Sequence, residues 1–260
     1  MKIKYWFLTT AVLMLCGCMQ RYYNTATNEE ETYFYSTDKE VKIGESLSRQ
    51  IEREFKPDND ILIQQRIDQI GQKLVLGNER KDLKYHFKVL DVKDINAVAL
   101  PGGYVYIFKG LWGKIEKDDA KIAAVLAHEI AHISARHTIK RLQASLGVNV
   151  LSVLIAVSPN PDPYSKSQAM AGIWELMLAY SREDELQADF LATKYMQQSG
   201  YDLSAVLDVL QVLQEEQRSR PARNTIVQTH PYISERKKVV KQQINRGNIG
   251  FDDYINTSSD

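Results

Sequence analysis

The sequence predicts a single α+β domain that is mostly helical and contains one small antiparallel β-sheet. Most segments repeat apolar residues at helical spacing, whereas two short runs, residues 85–90 and 104–108, are rich in β-forming residues. Pro101-Gly102-Gly103 lies between these runs and predicts a turn. The chain has 260 residues, which is enough for one domain with a sizeable core.

The first 17 residues are typical of a secretory signal peptide. Lys2 and Lys4 give a basic start, and the apolar run over residues 5–15 is too short to span a membrane. Leu15-Cys16-Gly17-Cys18 resembles the cleavage box of bacterial lipoproteins. We therefore expect Cys18 to become the lipidated first residue of the mature chain and to anchor it to a membrane. The alternative is an ordinary cleaved signal peptide with a soluble product.

The residue after Cys18 indicates the destination of such a lipoprotein. Met19 stands where an aspartate would favour retention in the inner membrane of enteric bacteria. We therefore predict the inner leaflet of the outer membrane, facing the periplasm. Cys16 would leave with the signal peptide and Cys18 would be acylated, so we expect no disulfide in the mature protein.

The remaining chain divides into a tether, a domain and a tail. Residues 18–37 are polar and predict a flexible tether between the lipid and the domain. The domain extends over residues 38–246, and residues 247–260 predict a flexible tail. Apolar residues at helical spacing predict helices outside the centre of the domain at residues 38–55, with Asp38 as the cap, and at 60–76, 203–218 and 234–246.

The central helix carries the most informative motif. Residues 120–140 contain no Pro or Gly and are rich in Ala, Ile and Leu, which predicts a mostly buried helix. His128 and His132 are four residues apart and so lie on one face of it, where both imidazoles can bind one metal ion. Glu129 between them can hold a water against that metal. The sequence therefore contains the His-Glu-x-x-His pattern of zinc peptidases, with Glu129 as general base; packing of both histidines in a core is the alternative.

A peptidase of this kind needs a third protein ligand, and one scheme takes it from the same segment. Metzincins continue as His-x-x-Gly-x-x-His, but here Ala135 occupies the Gly position and His137 falls one residue short. If the helix continues, His137 is rotated about 140° from His132 towards its apolar side. We therefore interpret His137 as a core histidine or a support for the ligands rather than a ligand.

The other scheme takes a carboxylate from a second helix. Residues 174–196 repeat apolar residues at helical spacing without Pro or Gly, which predicts one long helix. Glu185 and Asp189 lie one turn apart on it, so Glu185 could bind the metal while Asp189 accepts the free ring N–H of a ligand histidine. Acidic pairs at this spacing are also common on solvated faces, the interpretation we give to Glu183 and Asp184.

Four segments together resemble the gluzincin family that contains the CAAX prenyl proteases and the HtpX-type heat-shock proteases, specifically its periplasmic lipoprotein branch. In the order found in the family, they are Asn96-Ala97-Val98-Ala99-Leu100-Pro101-Gly102-Gly103, His128-Glu129-x-x-His132, Ser181-Arg182-x-x-Glu185-x-x-Ala188-Asp189, and Thr229-His230-Pro231 with Arg236. The resemblance covers about residues 40–246. It implies a zincin-like fold, one zinc ion bound by His128, His132 and Glu185, and Glu129 as catalytic base.

The resemblance also implies roles for two residues near the C-terminus. In family members the histidine that matches His230 lies near the metal, where it stabilises the oxyanion or occupies the open metal position in a latent state. Arg236 is a second candidate catalytic donor, since such a site needs donors aimed at developing charge. Both residues have an ordinary alternative, because a lone histidine before Pro231 is more often a loop residue.

The predicted sheet offers a place for substrate. Asn96, Ala97, Val98 and Ala99 precede the turn and are small or apolar. An outer strand of the sheet could pair with an extended peptide backbone, which allows many sequences to bind. The alternative is that the strands only complete the core.

Two neighbouring segments are harder to place. Residues 146–157 are nearly all apolar, and residues 158–167 are rich in Pro and polar residues. We favour a helix packed beside the active-site helix, followed by a mobile loop over the cleft. A hairpin that touches a membrane or a partner is the alternative.

These observations predict a lipid-anchored zinc endopeptidase of the bacterial envelope. The resemblance implies misfolded or unassembled envelope proteins as substrates. The 33 basic and 33 acidic residues balance, so nothing indicates a nucleic-acid partner. The alternative function is an envelope assembly factor or chaperone that binds clients and cleaves them rarely or in a latent manner.

Overall fold

The computed structural model describes residues 20–26, 28–33, 35–141, 144, 180–219 and 228–246. Helices make up most of this part of the chain, which confirms the predicted fold class. The elements, in chain order, are β1 (Gln20–Asn24), β2 (Glu29–Tyr33), α1 (Thr37–Glu54), α2 (Ile61–Val75), β3 (His86–Leu90), β4 (Ala97–Leu100), β5 (Tyr104–Phe108), α3 (Lys109–Ile115), α4 (Asp119–Ser134), α5 (Arg182–Gln198), α6 (Ser204–Ser219) and α7 (Ile233–Arg246).

The outer helices begin and end within two residues of their predicted bounds. Asp60 accepts hydrogen bonds from the backbone N–H groups of Leu62 and Ile63 and so caps α2. The cap of α1 is Ser36 rather than the predicted Asp38, since the Ser36 hydroxyl accepts from the backbone N–H of Lys39. Asp38 lies in the first turn instead, where its negative charge favours the helix N-terminus.

The main sheet has three strands in the order β3-β5-β4 and is mixed, which corrects the all-antiparallel prediction. β4 and β5 are antiparallel across the Pro101-Gly102-Gly103 turn, as predicted. β3 pairs with β5 in parallel, His86 opposite Tyr104. Parallel pairing results because residues 91–96 carry the chain to the far edge before it returns through the turn, so β5 occupies the centre.

α1 packs closely against the turn before β5. Gly102 and Gly103 have φ angles of 78° and 99°, which few other residues adopt. The backbone N–H of Gly102 donates to the buried carboxylate of Glu40 on α1. A Cβ on Gly44 would lie 1.9 Å from the carbonyl oxygen of Pro101, so only glycine permits this approach.

The central helix is shorter than predicted. α4 ends at Ser134, and Arg136 has a φ angle of 57°, which turns the chain before residues 137–141 become helical again. The helix predicted over residues 174–196 is interrupted at residues 180–181 and begins again at Arg182; residues 174–179 lie outside the described residues. Ser181 is its cap in a capping box with Asp184, and its extended backbone is incompatible with a continuous helix through this position.

α4 lies at the centre of the molecule. All residues from Ile122 to Ser134 are buried, because α2, α5, α6 and the sheet surround the helix. The two faces of the sheet contribute to different cores. Phe87, Val105 and Ile107 face the core around α4, whereas alternate residues of the same strands face α1.

Residues 20–33 form a β-hairpin, which differs from the flexible tether predicted for residues 18–37. β1 and β2 pair in register from Gln20 opposite Tyr33 to Asn24 opposite Glu29. Tyr33 is 2% exposed, and Glu31 forms an ion pair with Lys140 at 2.5 Å. Tyr33 thus anchors the hairpin in the core, which the polar composition of the segment does not indicate.

Several predictions concern residues outside those that the structure describes. They are the signal peptide with Cys16 and Cys18, the segments 146–157 and 158–167, and the tail at residues 247–260. Among the described helices, none combines the length and the apolar character that crossing a membrane requires.

Candidate metal centre

α4 brings two imidazoles together. The Nε2 atoms of His128 and His132 are 3.1 Å apart, and both side chains are buried. Asp118 caps the helix by accepting from the backbone N–H of Ala120, and the next nine residues supply the two turns that lead to His128. The spacing of four residues therefore has the geometric result expected of an α-helix.

α5 adds a carboxylate from the opposite side. Glu185 Oε2 lies 3.4 Å from His128 Nε2, and Glu185 Oε1 lies 3.5 Å from His132 Nε2. The capping box at Ser181 starts α5 at the point that places Glu185 in its first turn, facing α4. Glu185 is fully buried.

His230 completes a group of four potential ligands. Its Nδ1 lies 3.0 Å from Glu185 Oε1 and 3.3 Å from His128 Nε2, and its Nε2 lies 3.4 Å from Glu129 Oε1. One donor atom from each of His128, His132, Glu185 and His230 lies within 4.8 Å of the others. His230 thus lies between the candidate ligands and the candidate base.

Asp189 and Arg236 contact the candidate ligands His128 and Glu185 and hold them in place. Arg236 donates from Nε and Nη2 to the two carboxylate oxygens of Asp189 at 2.7 and 2.8 Å, and its Nη1 lies 2.6 Å from Glu185 Oε2. Asp189 Oδ1 lies 2.9 Å from His128 Nδ1. A proton on Nδ1 therefore points at Asp189 and leaves Nε2 of His128 free to bind a metal.

A second chain of contacts runs from His132 through His137, the histidine interpreted from the sequence as a core residue or a support for the ligands. His137 Nδ1 lies 2.9 Å from His132 Nδ1, and His137 Nε2 lies 2.6 Å from Gln187 Oε1. Burial lowers the pKa of His137 to about 4, so its ring is neutral at pH 7. A neutral His137 that donates from Nε2 to Gln187 can accept at Nδ1 from His132, whose Nε2 then faces the cluster.

His137 lies outside the metal cluster, but for a different reason from the one predicted. The predicted rotation about a continuous helix does not apply, because α4 ends at Ser134 and the turn at Arg136 brings His137 back against His132. No local sequence pattern signals this turn, since arginine rarely has a positive φ angle.

Tyr180 is a residue of this site that the sequence interpretation missed. Its ring stacks on that of His132 with the centroids 3.7 Å apart, and its backbone N–H donates to the carbonyl of Thr229. Tyr180 is therefore positioned to fix the imidazole plane of His132 and to connect α5 with the segment that carries His230. A lone tyrosine before a helix cap gives no signal of such a role.

Buried charges give the acidic groups different protonation behaviour. Burial opposes ionisation of Glu185, but Arg236 and His230 hold its pKa well below its ordinary value, so it is a carboxylate at neutral pH. Burial raises the pKa of Glu129. A carboxylate with a raised pKa is a better proton acceptor, which suits a general base. Burial lowers the pKa of His132 well below its ordinary value.

The cluster fits a zinc ion by its chemistry. Two neutral imidazole nitrogens and one carboxylate are a usual donor set for a catalytic zinc with an open position. Each of these three groups also has an outer partner, His128 with Asp189, His132 with His137, and Glu185 with Arg236. The cluster does not suit a structural zinc site, which is usually closed by four Cys or His ligands.

The predicted substrate strand, from Asn96 to Ala99, adjoins this cluster through one contact. Asn96 is buried directly before β4, and its side-chain oxygen accepts hydrogen bonds from the backbone N–H of Ala97 and the hydroxyl of Thr229. β4 with Val98 is an edge strand of the three-stranded sheet. The edge is thereby tied to the residue before His230.

An apolar pocket opens beside the two acid–base candidates. His128, Glu129 and His230 form part of its polar wall together with Asp189 and Arg236. Its apolar wall comes from α4 and α6 and consists of Ala124, Val125, Val206, Val209, Leu210 and Leu213. A side chain bound next to the cluster would therefore meet hydrocarbon.

Two histidines and a glutamate on neighbouring buried helices, with a further glutamate beside them, define a metallopeptidase of the gluzincin type. The signature of peptidase family M48 matches residues 62–244, which is most of the chain. The chain belongs to peptidase family M48, and the resemblance deduced from the four sequence segments is thereby confirmed.

Individual relatives are distant but cover most of the chain. The chain is 26% identical to the beta-barrel assembly-enhancing protease of Escherichia coli K12 over 223 residues. This match covers 81% of this chain and 45% of that protein. It is 26% identical over 177 residues to the metalloprotease LoiP of the same organism, 67% of this chain and 68% of LoiP. The mitochondrial metalloendopeptidase OMA1 of Schizosaccharomyces pombe is 26% identical over 176 residues, 68% of this chain and 51% of OMA1. The chain thus spans less than half of the first relative.

Proposed function

We propose that the protein is a zinc-dependent endopeptidase. The observation that carries the proposal is the convergence of His128, His132 and Glu185 next to the buried carboxylate of Glu129. Membership of family M48 supports the same activity. A bound zinc ion would act as a Lewis acid toward the scissile carbonyl and would lower the pKa of water.

Glu129 is the proton carrier in the proposed reaction. Its carboxylate takes a proton from the attacking water and returns it to the nitrogen of the leaving amine. The raised pKa of Glu129 supports this role, since the group must be basic enough to accept the proton and acidic enough to release it. The low pKa of Glu185 suits a carboxylate that stays charged throughout.

His230 and Arg236 have different proposed roles. His230 lies within 3.4 Å of both Glu129 and the candidate ligands, so it can donate to the developing oxyanion or occupy a ligand position in a latent state. The guanidinium of Arg236 contacts the carboxylates of Asp189 and Glu185. We therefore propose that Arg236 holds these carboxylates in place and does not contact the substrate.

We propose that the substrates are misfolded or unassembled proteins of the bacterial envelope. The names of the two Escherichia coli relatives support a bacterial protease. We keep the pairing of β4 with an extended substrate backbone as part of the proposal, although Ala97–Leu100 are all buried. We keep lipidation of Cys18 and location at the periplasmic face of the outer membrane as part of the proposal, supported by the sequence of residues 1–19.

A second candidate function is that of an assembly factor or chaperone with latent proteolysis. The position of His230 among the candidate ligands favours it, because a fourth protein ligand would exclude water. The same residues serve both functions, so only activity separates them.

The test is cleavage of casein by the zinc-loaded full-length protein, compared with the same protein in a chelator and with the variants Glu129→Gln and Glu183→Gln. We expect the chelator to abolish cleavage and Glu129→Gln to lower kcat by about 10²–10⁴-fold with zinc still bound, since it removes the base alone. Glu183 is exposed on α5 and Glu183→Gln should cleave like the wild type. If the zinc-loaded wild type cleaves no casein but His230→Ala does, the result favours the latent form. If neither protein cleaves casein, the result contradicts the proposed peptidase activity.

A further inference from the structure

Arg136 is held in a conformation that its own chemistry disfavours. Its φ angle of 57° lies in the left-handed region, where a residue with a Cβ is strained. Such a conformation persists when the surrounding structure enforces it. The residue directly follows the cap of α4, so the conformation determines where the chain goes after the metal-binding helix.

The N-terminal hairpin contacts the side chain of Arg136, in addition to the hydrogen bonds that the Arg136 backbone makes with Ile133 and Lys140. The guanidinium carbon of Arg136 lies 4.2 Å from the ring centroid of Tyr22 on β1 and 4.9 Å from that of Tyr33 on β2. Its Nη1 lies 3.5 Å from the buried carboxylate of Glu40, and the residue is 1% exposed. Within the described residues, its Nε and Nη2 have no hydrogen-bond partner. Two aromatic faces therefore carry much of the stabilisation of this buried cation.

The turn at Arg136 leads directly to the candidate ligands. His137 is the next residue, and its Nδ1 lies 2.9 Å from Nδ1 of His132. The hairpin is also tied to the helical stretch beyond, through the ion pair of Glu31 with Lys140. A shift of the guanidinium would therefore move His137, and with it the group that orients His132.

We propose that Arg136 is a positioning residue through which the N-terminal hairpin, residues 20–33, fixes the metal ligand His132. The proposal rests on the proposed function, because it takes His132 as a zinc ligand. It makes the hairpin a part of the peptidase site although the hairpin supplies no ligand. It also implies that a chain lacking the hairpin binds zinc less tightly.

The test is zinc affinity, measured by chelator competition on the full-length protein. Arg136→Gly is the main variant, because glycine adopts a positive φ angle freely and the substitution removes only the side-chain contacts. We expect about tenfold weaker zinc binding for Arg136→Gly and a smaller loss for Tyr22→Ala. Arg136→Lys keeps the positive charge, so we expect it to restore part of the affinity that Arg136→Gly loses. Loss of a direct partner of a metal ligand typically costs about 10–100-fold, and His137→Ala should fall in that range.

Two controls separate positioning from general stability. Tyr23→Ala removes the neighbouring hairpin tyrosine, which is 55% exposed and makes no ring contact with Arg136 among the described residues. Ile67→Val makes a small cavity in the core on α2 and lowers thermal stability alone. Both should bind zinc like the wild type, and the Arg136 and Tyr22 variants should lose kcat with KM unchanged.

Each outcome decides between the two proposals. If Arg136→Gly binds zinc as tightly as the wild type, the positioning role alone is overturned. The same holds if Ile67→Val loses as much zinc affinity as Arg136→Gly does. A wild type that binds no zinc, or that binds it equally well after His132→Ala, overturns the proposed function and this inference with it.

Discussion

His128 has a carboxylate near each of its ring nitrogens. Asp189 lies 2.9 Å from Nδ1 and Glu185 lies 3.4 Å from Nε2. Burial and Arg236 disfavour the charged ring, but the hydrogen bonds to these two carboxylates outweigh them and raise the pKa of His128 to about 9. In the metal-free protein His128 is therefore protonated at neutral pH, and a metal ion must displace that proton.

Zinc binding should release one proton from His128 at pH 7 and none above pH 9. The apparent zinc affinity should fall about tenfold for each pH unit below 9, because metal and proton compete for one nitrogen. Isothermal titration calorimetry in two buffers of different ionisation enthalpy measures the released proton. Equal binding enthalpies in both buffers at pH 7 would contradict the prediction.

The same pKa shift has a consequence for the stability of the metal-free protein. A raised pKa in the folded state stabilises the protein fully below pH 6.5, the ordinary value for histidine, and this contribution is lost as the pH rises through about 9. Thermal denaturation of the metal-free protein between pH 6 and 9 should follow this direction.

The residues of the candidate site differ in how far the sequence could predict their place. His128, Glu129 and His132 are within one helical turn, so their spacing alone predicts one face. Glu185 was a candidate ligand from the acidic pair on the second helix, whereas only the family resemblance brought His230 to the same site. The role of Tyr180 and the exact position of His137 were beyond prediction, because they depend on the turn at Arg136 and on the packing of residues 180 and 229.

Among the described elements, α6 borders the site with apolar side chains. It places four apolar side chains on the wall of the pocket beside Glu129, namely Val206, Val209, Leu210 and Leu213. A scissile bond at the cluster would put a neighbouring substrate side chain against this wall. We therefore expect a preference for apolar side chains at that position.

Val209→Ala should shift this preference toward larger side chains. The substitution removes two methyl groups from the wall, and a difference of this size in a hydrophobic pocket changes kcat/KM by about 10–200-fold. Cleavage of two peptides that differ only by Leu or Phe next to the scissile bond measures the effect. Leu207→Ala, on the same helix but outside the pocket wall, is the matched control. An equal change in both variants would show that the pocket wall of α6 does not determine the substrate preference.

Element bounds were predictable where the ends are local. Asp60 caps α2 with its own side chain, and Pro101-Gly102-Gly103 makes the β4–β5 turn. The parallel pairing of β3 with β5 and the interruption of the helix at Arg136 depend on distant partners. Periodicity carries no information about either of them.

At the scale of the whole molecule, the candidate site joins three separate parts of the chain. α4, α5 and the segment before α7 supply His128, Glu185 and His230, whose candidate ligand atoms lie within 4.8 Å of one another. The cluster places several buried charges near each other, and a cation would compensate them. Metal binding should therefore stabilise the fold, in addition to its proposed role in activity.

Removal of zinc should lower Tm by about 10 °C. Zinc at a thousand times its Kd contributes about 4 kcal/mol, and a domain of this size shifts by about 2–4 °C per kcal/mol. Calorimetry with and without a chelator measures the difference. His132→Ala should show a much smaller response to the chelator, and an unchanged Tm in the wild type would contradict a bound metal.

The hairpin at residues 20–33 shows where composition misleads at this scale. Its Glu29-Glu30-Glu31 run and polar neighbours are typical of a solvated tether. Its place in the fold depends on Tyr22 and Tyr33 reaching Arg136, more than a hundred residues away in the sequence. Such a contact leaves no periodic signal in either segment.

The burial of α4 on every side has a consequence for how this protein can vary. A helix with one solvent-exposed face tolerates changes at every third or fourth position, but every residue from Ile122 to Ser134 is buried. Saturation mutagenesis should therefore find this stretch intolerant without any 3.6-residue rhythm, while α1 shows a clear rhythm. Sequence change in this protein would then accumulate on α1 and α6, around a central helix that stays almost fixed.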